Sequence, residues 1–281
     1  KVLYTYKGEM SDGTEIEISP GTVSVSGEAF YGCSDLTSII IPNSVTKIGW
    51  GAFFDCTSLT DVTVSDSVET VEDRAFYNTA WYNALPDGVV YIGKALYAYK
   101  GEMPAGAEIE ISPGTVSVSA GAFLDCTGLT NIEISHSVTN IEEHTFSGCT
   151  GLTSIEIPDS VTEIGYEAFE NCTGLKSVKI PDSVTYIGRR AFSGCTNLTS
   201  IKIPDSVTSI DNGTFSYCTS LTNIEFPHSV TSIGDSAFSD CTGLTNIEIP
   251  DSVTYIGDSA FSSCSSLTSI KIPDSVTEIG Y

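Results

Sequence analysis

The chain has 281 residues with 36 acidic against 12 basic side chains, a formal charge of −24. That balance excludes nucleic acid and anionic membrane surfaces as partners, since both need basic patches, and it favours neutral or basic proteins. No apolar run of roughly 18 residues is present to insert in a membrane, and no signal-peptide or lipidation motif is visible.

Taken in order, the chain opens with KVLYTYKGEM at Lys1 to Met10, which returns as KALYAYKGEM at Lys94 to Met103. Residues 1–33 correspond to 94–126 without a gap, so residues 1–12 read as the second half of a β-hairpin. Repeat units then begin at Gly13, Leu36 and Leu59, which makes a first block over 13–81. Residues 82–105 keep the length of a unit and lose its motif. They hold two aromatic and β-branched runs around Gly93-Lys94, which predict a hairpin. A second block over 106–281 has units starting at Gly106, Leu129, Leu152, Leu175, Leu198, Leu221, Leu244 and Leu267. The chain ends at Tyr281 in mid-repeat, and both ends read as cut from a longer array.

The unit is clearest from Leu152 to Gly174, LTSIEIPDSVTEIGYEAFENCTG. Counted from its Leu, apolar residues fall at positions 1, 4, 6, 10, 13, 17 and 18. Leu-x-x-Ile-x-Ile alternates as a strand with one buried face. Pro158 ends that strand because proline cannot donate to a ladder, and Asp159 and Ser160 favour a turn by bonding nearby backbone amides. Val161 to Ile164 predicts a second extended arc closed by Gly165, and Ala168-Phe169 one turn of α- or 3₁₀-helix ending near Cys172. So few large apolar side chains cannot offset the entropy of ordering the unit alone. Stacking must supply the rest, which is the logic of a solenoid of parallel strands.

The nine cysteines include a register of 23 residues, with Thr79 in the slot of one copy. Stacked side chains point in parallel, so the ladder predicts buried free thiols rather than disulfides. His136 and His228 occupy position 8, where other copies carry Asp or Asn, and lie four coils apart, too far to share a metal. The Asp row at that position lacks the converging oxygen ligands and glycine-rich turns of a calcium site. Neither a catalytic triad nor a phosphate loop appears, and no cofactor is implied.

Two surfaces remain. On the strand face, position 5 points outward and carries Glu133, Glu156, Lys179, Lys202, Glu225, Glu248 and Lys271, with opposite charges adjacent at Glu156–Lys179, Lys202–Glu225 and Glu248–Lys271. In and beside the irregular unit, Trp81, Tyr82, Tyr91, Tyr97 and Tyr99 fall close together. Such aromatics either stack on a sugar or protein partner or fill the seam between the two blocks.

The unit LTSIxIPDSVTxIGxxAFxxCTG resembles the BspA-like class of leucine-rich repeat, over Gly13 to Tyr281 except the irregular unit. That resemblance implies an α/β solenoid over 1–281 as one continuous domain. It would be a leucine-rich repeat right-handed superhelix with parallel β-strands, short helical or 3₁₀ turns and one β-hairpin insertion. It further implies a non-catalytic cell-surface or secreted recognition module that adheres to a protein or glycan ligand on a host or microbial surface. The alternatives are a carbohydrate-binding or targeting segment of a larger extracellular enzyme, motivated by the hairpin aromatics, and a structural spacer.

Overall fold

The computed structural model describes residues 1–6 and 10–281. Residues 7–9 of the first half-hairpin lie outside the described residues. The chain is a parallel-strand solenoid of about twelve turns. Its contacts divide it into two compact units, 1–101 with 114–122 and 102–113 with 123–281.

The regular coils up to Leu221 contribute a front strand around positions 3–5, and the coils of Leu244 and Leu267 meet there only through the bridge Glu248–Lys271. The regular coils add a two-residue strand at positions 12–13. In the first unit the front strands Thr14–Glu17, Leu36–Ile41 and Asp61–Val64 pair in parallel, as do the short strands Val2–Leu3, Ser24–Val25, Lys47–Ile48 and Thr70–Val71. In the second unit Ala107–Glu110, Leu129–Glu133, Ser154–Glu156 and Ser177–Lys179 form the corresponding front ladder, and Ser200–Lys202 pairs with Asn223–Glu225.

The equal repeat length keeps like residues side by side, and this builds the core. Phe30, Phe53 and Phe76 stack at centroid distances of 5.1 and 4.9 Å in the first unit. Phe123, Phe146, Phe169, Phe192, Phe215, Phe238 and Phe261 stack at 5.2–5.7 Å in the second. The thiols line the same interior. All nine cysteines are free, and eight are buried.

The turn after position 14 departs from the expected helical turn. Among the described residues, every non-glycine residue with positive φ falls at position 16 or 20, for example Glu167 (53°) and Asn171 (56°). Glycines such as Gly121 and Gly148 take the same places in other coils. A left-handed residue stops helix propagation and turns alternate amides outward along the stack. Glu167, Phe169 and Asn171 donate to Arg189, Ala191 and Ser193 of the next coil, whereas Glu170 and Cys172 close local turns onto Glu167 and Phe169. The third face is therefore a hydrogen-bonded ladder in its own right.

Position 9 also differs from expectation. Rather than bonding its own turn, Ser160 donates to the Val138 carbonyl of the preceding coil at 2.6 Å, and Ser183, Ser229 and Ser252 repeat the contact. The hydroxyl bridges coils because the proline turn brings it over the adjacent carbonyl.

The irregular segment holds the expected antiparallel hairpin, Gly88–Ile92 with Ala95–Lys100. At its turn Gly93 has φ 59°, and a Cβ there would stand 2.4 Å from the Val68 carbonyl oxygen, so the close approach requires glycine. The start of the returning strand then resumes the solenoid, Ala95-Leu96 pairing in parallel with Ser117–Val118. Val2-Leu3 pairs with Ser24-Val25 in the same register. A five-residue helix, Ala80–Ala84, precedes the hairpin. Its N-cap is Thr79, whose hydroxyl oxygen accepts from the Tyr82 amide at 3.0 Å. The cysteine register breaks at Thr79 because that copy must start a helix, and a hydroxyl caps an N-terminus where a thiol does so poorly.

Candidate functional site

Parallel strands in register hold equivalent side chains one strand spacing apart, about 4.8 Å. Glu133, Glu156, Lys179, Lys202, Glu225, Glu248 and Lys271 are all exposed on the front face of the second unit. Glu133 is opposite Glu156, Glu156 opposite Lys179, Lys202 opposite Glu225 and Glu248 opposite Lys271. Lys179 Nζ lies 2.8 Å from Glu156 Oε1. That contact lowers the Glu156 pKa and raises that of Lys179, each through the shared hydrogen bond first and charge second. Of the three expected opposite pairs, it alone closes to ion-pair distance among the described residues. The side chains of the other two pairs are exposed to solvent.

The charges follow an order, Glu-Glu-Lys, that occurs twice four coils apart, beginning at Glu133 and again at Glu225. Each Glu pair flanks a shallow depression holding a position 8 histidine. One, of about 440 Å³, is lined by Glu133, His136, Glu156, Asp159 and Lys179. The other, of about 590 Å³, is lined by Glu225, Phe226, His228, Glu248 and Asp251. Among the described residues no group of three His, Cys, Asp or Glu side chains converges as a metal site. The chemistry of this face is paired carboxylates and ammonium groups at fixed spacing on stacked coils, suited to charged side chains of a partner.

The hairpin aromatics divide. Trp81, Tyr82 and Tyr97 come together over the end of the first phenylalanine stack. Trp81 tilts against Phe76 at 5.1 Å, Tyr97 meets Phe76 edge-on at 6.2 Å, and Tyr82 meets Tyr97 edge-on at 5.6 Å. Tyr97 is buried, and its hydroxyl oxygen accepts the Phe76 amide hydrogen at 3.0 Å. In a regular coil that amide donates to the next coil, as Phe53 does to the Ala75 carbonyl. The irregular segment has no such turn, and the phenol replaces the missing carbonyl. Burial raises the pKa of both Tyr97 and Tyr82. Tyr91 and Tyr99 stand on the two hairpin strands, half-buried, with Tyr91 opposite Leu96 and Tyr99 opposite Val89.

Two features escape a reading of the repeat. Tyr31, Phe54 and Tyr77, at position 19 of three successive coils, form a partly exposed stack with centroids 5.2 and 5.3 Å apart. At position 16 of the second unit, His144, Glu167 and Arg190 stack in a polar column. Glu167 is nearly buried, with His144 Nδ1 at 3.2 Å and Arg190 at 3.5 Å. The period marks both rows, but their alignment is invisible until the left-handed positions are known.

The family model for the BspA type leucine-rich repeat region matches residues 8–104, 90–221 and 185–281. The chain belongs to the BspA-type leucine-rich repeat family. Among solved structures, a leucine-rich repeat protein from Eubacterium ventriosum is 25% identical over 92% of this chain and 84% of its own, with a TM-score of 0.57. One from Bacteroides ovatus is 28% identical over 95% and 82%, with a TM-score of 0.47. A leucine-rich cell surface protein from Faecalibacterium prausnitzii is 24% identical over 92% and 83%, with a TM-score of 0.43. No curated protein matches the chain. Among the described residues of this BspA-type chain, no helix is long and apolar enough to cross a membrane.

Proposed function

We propose that this chain is a non-catalytic recognition module of a cell-surface or secreted protein, and that it takes a protein partner on the front strand face of its second unit. The observation that carries this reading is the exposed charge row from Glu133 to Lys271, with its Glu-Glu-Lys order twice over on the front face of stacked coils. The order stands first on the sheet of Leu129–Glu133, Ser154–Glu156 and Ser177–Lys179, and again from Glu225 to the bridge Glu248–Lys271. A repetitive scaffold supplies like surfaces at fixed spacing, which suits an extended protein contact. The acidic pairs select basic side chains, and Lys179 with Lys202 selects an acidic segment between them. Surface location is supported by the family to which the repeats belong.

The test is binding of the purified chain to an array of extracellular proteins at low and physiological salt, beside the double variant Lys179→Glu, Lys202→Glu. A protein hit that weakens with salt and is lost in the variant supports the reading. Hits untouched by the variant would move the site off this face, and silence across the array would favour a spacer.

A further inference from the structure

The turn face of the second unit carries a second, unlike depression of about 430 Å³, lined by Arg189, Arg190, Ser193, Asn212, Tyr217 and Asp235, with Glu170 on one wall. Its origin is a missing side chain. Position 16 is Arg190 in one coil and Ser236 two coils on, but Gly213 between them, where a Cβ would already stand 3.1 Å from Arg190 Cγ. The notch exposes the flank of the Arg190 stem and the floor of the coil beneath.

The groups around the notch are held in place by the fold. Asn212 accepts the Asp235 amide hydrogen at 2.9 Å and directs its own amide nitrogen toward the Asp235 carboxylate at 3.4 Å. Ser216 donates to Ser193 at 2.9 Å in the floor. Arg190 leans on Glu167, which His144 also holds. Arg189, by contrast, has no carboxylate at ion-pair distance among the described residues, although it stands in a chain of charge −24 with only three arginines. Tyr217 is 56% exposed and left-handed at φ 59°. Gly194 and Asp240 occupy its row in the flanking coils, and a bulky ring is disfavoured in that conformation unless something else retains it.

An uncommitted guanidinium, a fixed amide and carboxylate, a hydroxyl floor and an exposed aromatic ring are together the complement of one ligand chemistry. A guanidinium forks onto a carboxylate. Asn and Asp exchange hydrogen bonds with vicinal hydroxyls, and a tyrosine ring packs on the apolar face of a pyranose. We infer that this pocket binds a carboxylated sugar residue of the uronic or sialic acid type, with Arg189 and Arg190 on the carboxylate, Asn212 and Asp235 on the hydroxyls and Tyr217 against the ring. The site lies on a different face from the charged strand row and does not depend on it.

The test is calorimetric titration of the whole chain with oligogalacturonate and with sialyllactose, against oligogalacturonate methyl ester, lactose and acetate. The expected result is saturable binding of one acidic sugar, at least about tenfold tighter than its neutral counterpart. That binding is lost in Arg189→Ala and in Tyr217→Ser, and unchanged in Lys179→Glu, Lys202→Glu. Ser263 occupies the Tyr217 position in a later coil with φ 61°, so the serine variant keeps the backbone. Which acidic sugar binds separates a plant-type from an animal-type source. Absence of saturable binding by either at millimolar sugar would overturn the inference, as would equal binding of the neutral sugars or of acetate. Loss of protein binding in the lysine double variant with sugar binding intact would separate this site from the strand face.

Discussion

The thiol of Cys172 donates to the carbonyl oxygen of Phe146, one coil back, at 3.1 Å. Cys56, Cys149, Cys195, Cys218, Cys241 and Cys264 make the same contact, each to the phenylalanine of the preceding coil. The ladder that reads as small apolar packing is thus a chain of sulfur donors against backbone acceptors, and it has consequences in alkali.

Burial pushes the Cys56, Cys172 and Cys218 thiols up to about 12 and Cys126 to about 11. In the unfolded chain a thiol titrates near 8.5, so above that pH the unfolded state releases protons that the native state keeps. Stability is fully present below the unfolded pKa and falls as pH rises toward the native one, by about 1.4 kcal/mol per pH unit for each thiol. Urea unfolding at a series of pH values from 8 upward should show this decline. The slope should shrink by about that amount in Cys172→Ser, whose hydroxyl keeps a donor and does not titrate there. At neutral pH a thiol reagent should label Cys33, the one cysteine that is only half-buried, well before the rest.

The left-handed positions make opposite predictions for two substitutions. Arg74 holds φ 56°, and Arg74→Gly should raise stability by about 0.5–1 kcal/mol, the relief of left-handed strain less the added freedom of the unfolded chain. Gly32 holds φ 68° with nothing within 4 Å of an added Cβ, so Gly32→Ala should cost about 1 kcal/mol from backbone strain alone. Denaturant midpoints of both variants check the signs, and a loss in Arg74→Gly would refute the account of this row.

Tyr97→Phe removes the acceptor of the buried Phe76 amide and should destabilise the first unit by about 1–3 kcal/mol. Tyr99→Phe is the control, since its hydroxyl makes no hydrogen bond among the described residues. Equal midpoints for the two variants would show that the phenol is not substituting for a coil.

The Glu156–Lys179 pair is exposed on both sides, about three quarters of each side chain being open. Lys179→Ala should therefore leave the thermal midpoint unchanged, because solvent screens an open pair and its ordering entropy offsets the attraction. A clear drop in the midpoint would mean that this row is structural rather than a surface left for a partner.

The sequence by itself determined the period, the solenoid, the inward and outward alternation of the front strand and the hairpin around Gly93-Lys94. These follow from the spacing of apolar residues and from turn chemistry, both local properties of the chain. It also marked the row from Glu133 to Lys271, because a strand of period two in strict repeat places position 5 on one face. Only the tertiary structure decided what the turns do. The left-handed amides at Glu167 and Asn171, the phenol of Tyr97 standing in for a carbonyl, the Ser160 contact with Val138 and the notch above Gly213 all depend on the neighbouring coil. Each partner lies about one turn of chain away, and a periodic pattern records that such a neighbour exists without recording which backbone atoms it presents.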